Sequence, residues 1–162
     1  MAREFSAGGV VLRQVGDAWH IAAIRPRRER DPGGKKHKPV LALPKGIVDP
    51  GEKPEFTAER EIREETGVAA QLVTKLGDVK YMYVRSWSDG ERVFKIVSFY
   101  LFLYTSGELG DIAPEMRHEV EAAEWLPLDD AARKLAYKGE REMVAKAQEY
   151  LRSHPEFAVA AP

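Results

Sequence analysis

Gly46 to Val68 constrains this chain more than any other stretch. It reads GIVDPGEKPEFTAEREIREETGV and carries Glu52, Glu55, Glu59, Glu61, Glu64 and Glu65. Pro54 suits the first turn of a helix, where its fixed φ is preorganised and its missing N–H costs nothing. Gly67 suits the left-handed residue that closes one. The spacing predicts a helix between them. Glu61, Glu64 and Glu65 stand at i, i+3 and i+4, so they share one face of it. Ala58 and Ile62 form a narrow apolar stripe on which the helix can dock.

Three like charges on one face repel by a few tenths of a kcal/mol per pair. A divalent cation turns that repulsion into attraction. Mg²⁺ takes oxygen ligands in octahedral geometry and favours a few carboxylates together with substrate phosphates. The competing reading is a solvated helix face laced by Glu59–Arg63 and Arg60–Glu64 pairs.

The order of residues separates these readings. The pattern G-x5-E-x7-R-E-hydrophobic-x-E-E-x-G-hydrophobic is met by Gly46, Glu52, Arg60, Glu61, Ile62, Glu64, Glu65, Gly67 and Val68. This resembles the Nudix box, the signature of hydrolases that cleave a nucleoside diphosphate linked to another group. The resemblance implies an α/β fold, the Nudix-type α/β/α sandwich with a mixed sheet. It also implies Mg²⁺ or Mn²⁺ as cofactor and a nucleoside polyphosphate as substrate.

The flanking sequence is ordinary for one globular domain. The 162 residues are 44% hydrophobic and 31% charged, and the net charge is −1. That balance gives no general attraction to nucleic acid or to an anionic membrane. The chain has no cysteine, which excludes disulfides and zinc–thiolate sites. No signal-peptide pattern opens the chain, and no apolar run approaches the ~20 residues of a membrane span. The expectation is a single domain over 1–162 with a frayed tail from about 153, cytoplasmic, and monomeric or homodimeric.

Along the chain, Phe5–Leu12 and Trp19–Ile24 read as strands about a turn at Gly16-Asp17. Gly8-Gly9 marks a place where another backbone or a ligand comes close. The loop from Arg25 to Pro39 is rich in Arg and Lys, which can fork onto or point at phosphate. Arg25 and Arg27 leave the strand first and are its candidate contacts. Val40–Leu43 reads as a short strand leading to Pro44-Lys45-Gly46. A carbonyl at Gly46 can face a metal, and Lys45 can hold a phosphate oxygen or act as counter-charge to the glutamates.

Leu72–Trp87 and Arg92–Tyr104 read as the arms of a long hairpin around Ser88-Asp89-Gly90-Glu91. Tyr81 and Tyr83 share a face with Arg85, a set suited to stacking on a base beside a phosphate. Lys95 needs a partner if buried, and an anion in a cleft is one. Thr105–His118 reads as a polar loop, followed by a strand ending on Trp125-Leu126. A helix capped by Asp129 is expected to run to about Ala136, Tyr137-Lys138-Gly139 to break it, and Glu140 to Arg152 to form a last amphipathic helix.

Glu4-Phe5-Ser6-Ala7-Gly8-Gly9, Leu43-Pro44-Lys45-Gly46, Tyr137-Lys138-Gly139-Glu140 and His118-Glu119-Val120 are similar to segments of the diadenosine tetraphosphate hydrolases within that family. The Arg27–Lys38 loop departs from them by its length. The resemblance implies that Glu61, Glu64 and Glu65 ligate the metal with Gly46, and that one of them also deprotonates the water. Arg60 is implied to orient a box glutamate and Glu52 to hold the loop–helix geometry. Glu119 looks like the additional glutamate from outside the box, with Glu115 and Glu121 as alternatives. Tyr81, Tyr83 and Tyr137 are implied for adenine, and Lys95 and Lys138 for phosphate. The expected reaction is asymmetric cleavage of diadenosine tetraphosphate to ATP and AMP. The alternatives are a MutT-type nucleoside triphosphate pyrophosphatase acting on 8-oxo-dGTP or similar, and a non-catalytic nucleotide-binding module.

Overall fold

A computed structural model describes residues 2–27, 40–85 and 90–157. Strand β1 (Ala2–Val15) runs antiparallel to β2 (Ala18–Pro26) and to the three-residue β3 (Lys45–Ile47), which continues the sheet beside the first half of β1. Helix α1 (Pro54–Thr66) follows, then the long strands β4 (Val68–Val84) and β5 (Arg92–Gly107). A 3₁₀ turn at Pro114–Met116 leads into β6 (Val120–Pro127), α2 (Leu128–Lys134) and α3 (Lys138–Ser153). The sheet order is β4-β5-β1-β2-β6, with β3 paired to β1. β1 and β5 are parallel and the other pairs antiparallel, so the sheet is mixed.

Both faces of the sheet are covered, which is why its central strands lack simple polar–apolar alternation. On one face, Ala7, Val11 and Phe102 pack against Ala58 and Ile62 of α1. On the other, Val10, Leu12, Ile21, Phe99 and Leu101 pack against Leu128, Ala131, Met143, Val144 and Ala147 of α2 and α3. Fully burying a side chain such as Ile62 contributes about 1.5–3 kcal/mol. The result is the expected α/β/α sandwich.

Several expectations shift in detail. The strand expected at Val40–Leu43 is only a pair of isolated bridges, Ile24 with Ala42 and Leu41 with Leu135. The paired strand lies just beyond, at β3, because Gly8 and Ala7 of β1 bond that stretch instead. Asp129 is not a cap: α2 starts from Pro127, and Asp129 sits in its first turn. Residues Lys138 and Gly139 do not break a helix but begin α3, with Tyr137 as the extended residue before it. The hairpin arms are as expected, and Arg85 N–H donates to the Glu91 carbonyl at their end. Ser86 and Trp87 at the end of the first predicted arm, Ser88 and Asp89 of the predicted turn, and Arg28–Pro39 of the basic loop lie outside the described residues. No helix among the described residues is long and apolar enough to cross a membrane.

Candidate active site

The acidic face of α1 is set by local sequence. The helix begins at Pro54, and Gly67 ends it with φ +86°, a conformation that favours glycine. Glu61 and Glu65 are buried, at 6% and 5% exposure, and Glu64 is half-buried. β3 lies across this face. Gly46 lies against it so closely that a Cβ at that position would displace the Glu61 carboxylate. The next residue back, Lys45, donates its backbone N–H to Glu65 Oε1 at 2.8 Å.

Arg60 organises the opposite side of the acidic face. Its Nε and Nη2 grip Glu52 at 2.8 and 2.9 Å, while Nη1 lies 3.0 Å from Glu61 Oε1 and 3.1 Å from Glu64 Oε2. Thr57 Oγ1 also donates to Glu52. The Arg60 hydrogen bonds hold the Glu52 carboxyl down at about 2, and they push the Arg60 guanidinium further up. Glu52 therefore bonds the loop before α1 to the helix, through Asp49 N–H, Thr57 and Arg60.

Glu61 and Glu65 have the opposite electrostatics. Burial raises the Glu65 carboxyl to about 8, with the Glu61 and Glu119 charges adding to the rise. Burial also raises Glu61, which feels both Glu64 and Glu119. Glu61 Oε2 is buried without a hydrogen-bond partner. An unpartnered buried carboxylate oxygen, on a group that also feels the charges of Glu64 and Glu119, fits a hard divalent cation. In this conformation no three acidic or histidine side chains among the described residues converge closely enough to enclose an ion. Arg60 takes up oxygens of Glu61 and Glu64 instead.

Glu119 comes from outside the helix. Its backbone is fixed by Arg27 N–H to Glu119 O at 2.8 Å, and the loop before it is tied to α1 by Ala113 N–H to Glu64 O. Its side chain is 58% exposed, with His118 Nε2 at 3.5 Å. Of Glu115, Glu119 and Glu121, Glu119 is the one whose charge acts on both Glu61 and Glu65.

A cleft of about 600 Å³ opens on the sheet face that carries α3. Lys45, Tyr81, Tyr137 and Lys138 line it, with Val79 and Phe99. The Lys45 ammonium lies 2.7 Å from Glu140 Oε2 and 5.5 Å from the Tyr137 ring centre. The structure thus brings four of the predicted substrate contacts together.

Other candidates are engaged elsewhere. Lys95 pairs with Glu4 at 2.9 Å, so its burial needs no external anion. Tyr83 lies outside the cleft lining and donates its hydroxyl to Glu4 Oε2. Arg25 pairs with Glu124 at 3.2 Å, and Arg27 Nε donates to the Arg117 carbonyl. Sequence reasoning gave no role to Glu140. A single acid in a first helical turn carries no periodic signal that would mark it as buried.

A family model described as NUDIX domain matches residues 3–147. The chain belongs to the Nudix family. MutT4 of Mycobacterium tuberculosis is 36% identical over 91% of this Nudix chain and 56% of its own length. The 8-oxo-(d)GTP phosphatase of Mycolicibacterium smegmatis is 36% identical over 65% of the chain and 29% of its own. The chain thus spans little more than half of the first relative and under a third of the second. The asymmetrical bis(5'-nucleosyl)-tetraphosphatase of Sus scrofa is 32% identical over 67% of the chain and 69% of its own length. Among solved structures, a C. elegans Ap4A hydrolase binary complex superposes with TM-score 0.63 at 20% identity. That match covers 93% of this Nudix chain and 98% of the other, and it supports the sandwich fold.

Proposed function

We propose that the chain hydrolyses nucleoside polyphosphates with a divalent metal, Mg²⁺ or Mn²⁺, and that its preferred reaction is asymmetric cleavage of diadenosine tetraphosphate. The observation that carries this reading is the junction at Lys45. Its N–H holds Glu65 of the acidic face, and its side chain lines the cleft that Tyr81 and Tyr137 also line. A substrate with a flat base and a polyphosphate chain can span those two features. The Sus scrofa relative, matched over most of its own length, adds support.

Glu61, Glu64, Glu65 and Glu119 would hold the metal, with the Gly46 backbone alongside. When bound, such an ion neutralises phosphate oxygens and lowers the pKa of an attacking water. The residues supply the rest. Tyr81 and Tyr137 offer ring faces to the base, while Lys45 and Lys138 offer ammonium groups to phosphate oxygens. Arg60 fixes the Glu61 and Glu64 carboxylates, so each presents its remaining oxygen in one direction. A glutamate of this set takes the proton as water adds to phosphorus. The bridging P–O bond breaks, and ATP and AMP leave.

The second reading is a MutT-type pyrophosphatase, favoured by the Mycolicibacterium smegmatis relative. Product analysis with diadenosine tetraphosphate, 8-oxo-dGTP and ADP-ribose in Mg²⁺ separates the two. Equal ATP and AMP, formed fastest from the dinucleotide, supports the first. Faster pyrophosphate release from the triphosphate moves the chain to the second. Binding of all three without turnover would leave a non-catalytic module.

A further inference from the structure

We infer that Glu140 is a positioning residue that holds the Lys45 ammonium for the substrate's phosphate chain; the inference rests on the hydrolase reading above. Glu140 is 4% exposed in the first turn of α3, where the helix dipole favours a carboxylate. Its two oxygens do different things. Oε1 accepts Leu43 N–H at 2.7 Å, which fixes the segment entering β3. Oε2 lies 2.7 Å from Lys45 Nζ. A carboxylate this buried needs a compensating cation as well as a backbone donor, and here that cation is an ammonium that lines the cleft.

The geometry at Lys45 gives the second contact its use. A lysine ammonium has three donors on a long flexible stem. Glu140 takes one donor, and the Leu43 carbonyl, at 3.4 Å, lies within reach of a second. The third remains for the cleft, where the Lys45 side chain is 24% exposed. The same residue's N–H is committed to Glu65. Glu140 thus restricts the rotation of an ammonium in the cleft that belongs to the same residue whose backbone N–H meets the acidic face. Its own carboxylate is almost fully buried and acts through Lys45.

Glu140→Gln tests this, because an amide keeps an acceptor for Leu43 N–H and loses the charge that holds Lys45. With diadenosine tetraphosphate, kcat/KM is expected to fall about tenfold, chiefly through KM. In a Lys45→Met background the same change should cost less than about twofold, since nothing is left to position. Equal losses in both backgrounds would overturn the inference. A second readout does not depend on activity or on the variant folding. NMR of the Lys45 ε-methylene in the unsubstituted protein should show two distinct proton shifts, the mark of a held ammonium. A single averaged shift overturns the inference. If no nucleoside polyphosphate is turned over, the hydrolase reading fails separately. The Glu140–Lys45 cycle is then read on the affinity for β,γ-methylene ATP, where additive losses overturn the positioning role.

Discussion

Glu65 and Glu140 are equally hidden, at 5% and 4% exposure, yet their surroundings are opposite. Glu140 has a backbone donor on one oxygen and an ammonium on the other. Glu65 has one backbone donor, from Lys45, and two neighbouring carboxylates whose charges oppose its own. A buried carboxylate that is satisfied holds structure together. One that is left with like charges is unstable until a cation arrives, which is the arrangement a metal site needs. The pair teaches that burial alone does not mark function. What marks it is the balance of partners around the buried group.

The largest expected effect comes from exchanging the two carboxylates for amides. Glu65→Gln should lower kcat by about 10²–10⁴, the range for a positioned acid–base or ligating carboxylate. Its melting temperature should hold or rise, because the amide has no charge whose burial must be compensated. Glu140→Gln should behave the other way. It should lose roughly 1–3 kcal/mol of stability, a figure reduced from that of a fully buried pair because Lys45 is partly solvated. Parallel kcat and melting measurements decide, and equal stability losses in the two variants would erase the contrast.

The next effect is on pH. Glu65 titrates near 8 in the metal-free fold, against 4.5 when unfolded. Between these values the native state holds a proton that the unfolded chain has released. Metal-free stability should therefore fall as pH rises through that window. Mg²⁺ needs the carboxylate, so its binding should release a proton there, and the rise in melting temperature it causes should grow from pH 6 to pH 8. Glu65→Gln should flatten both dependences in melts with and without Mg²⁺. An unchanged profile in that variant would assign the titration to another group.

The acid side isolates the satisfied type of carboxylate. Glu52 stays ionised down to about 2 in the native state, against 4.5 unfolded. Its contribution is present above the unfolded value and is lost as pH falls from about 4.5 towards 2. Glu52→Gln should soften that acid limb and leave the neutral-to-alkaline dependence alone, as read by acid denaturation followed by circular dichroism. The smallest effect sets the zero of the scale. Arg152→Ala breaks the exposed Arg152–Glu149 pair of α3 and should change stability by less than about 0.5 kcal/mol in urea titration.

Much of α1 could be read directly. Pro54 and Gly67 bound it, and Ala58 and Ile62 dock it. The arms of the long hairpin were also legible, because runs of β-branched and aromatic residues persist over each arm. β3 was not, since three residues with a central glycine carry no period and become a strand only when β1 offers its edge. The start of α3 was missed because Gly139 reads as a breaker by propensity, yet sits in a first turn where it is tolerated. Lys95 was legible as a residue in need of a partner, but its partner, Glu4, is supplied by the parallel pairing of β1 with β5.

By itself, then, the sequence determined the acidic face and its family. The helical period alone places Glu61, Glu64 and Glu65 together, and Arg60 reaches Glu52 across only eight positions. Only the tertiary structure decided how that face meets a cleft. Glu140 reaches Leu43 across 97 positions, and Gly46 lies against Glu61 because β3 pairs with β1. The physical reason is range. A helix carries its own geometry in consecutive residues, whereas a contact between distant strands and helices exists only after the sheet has chosen its order and register.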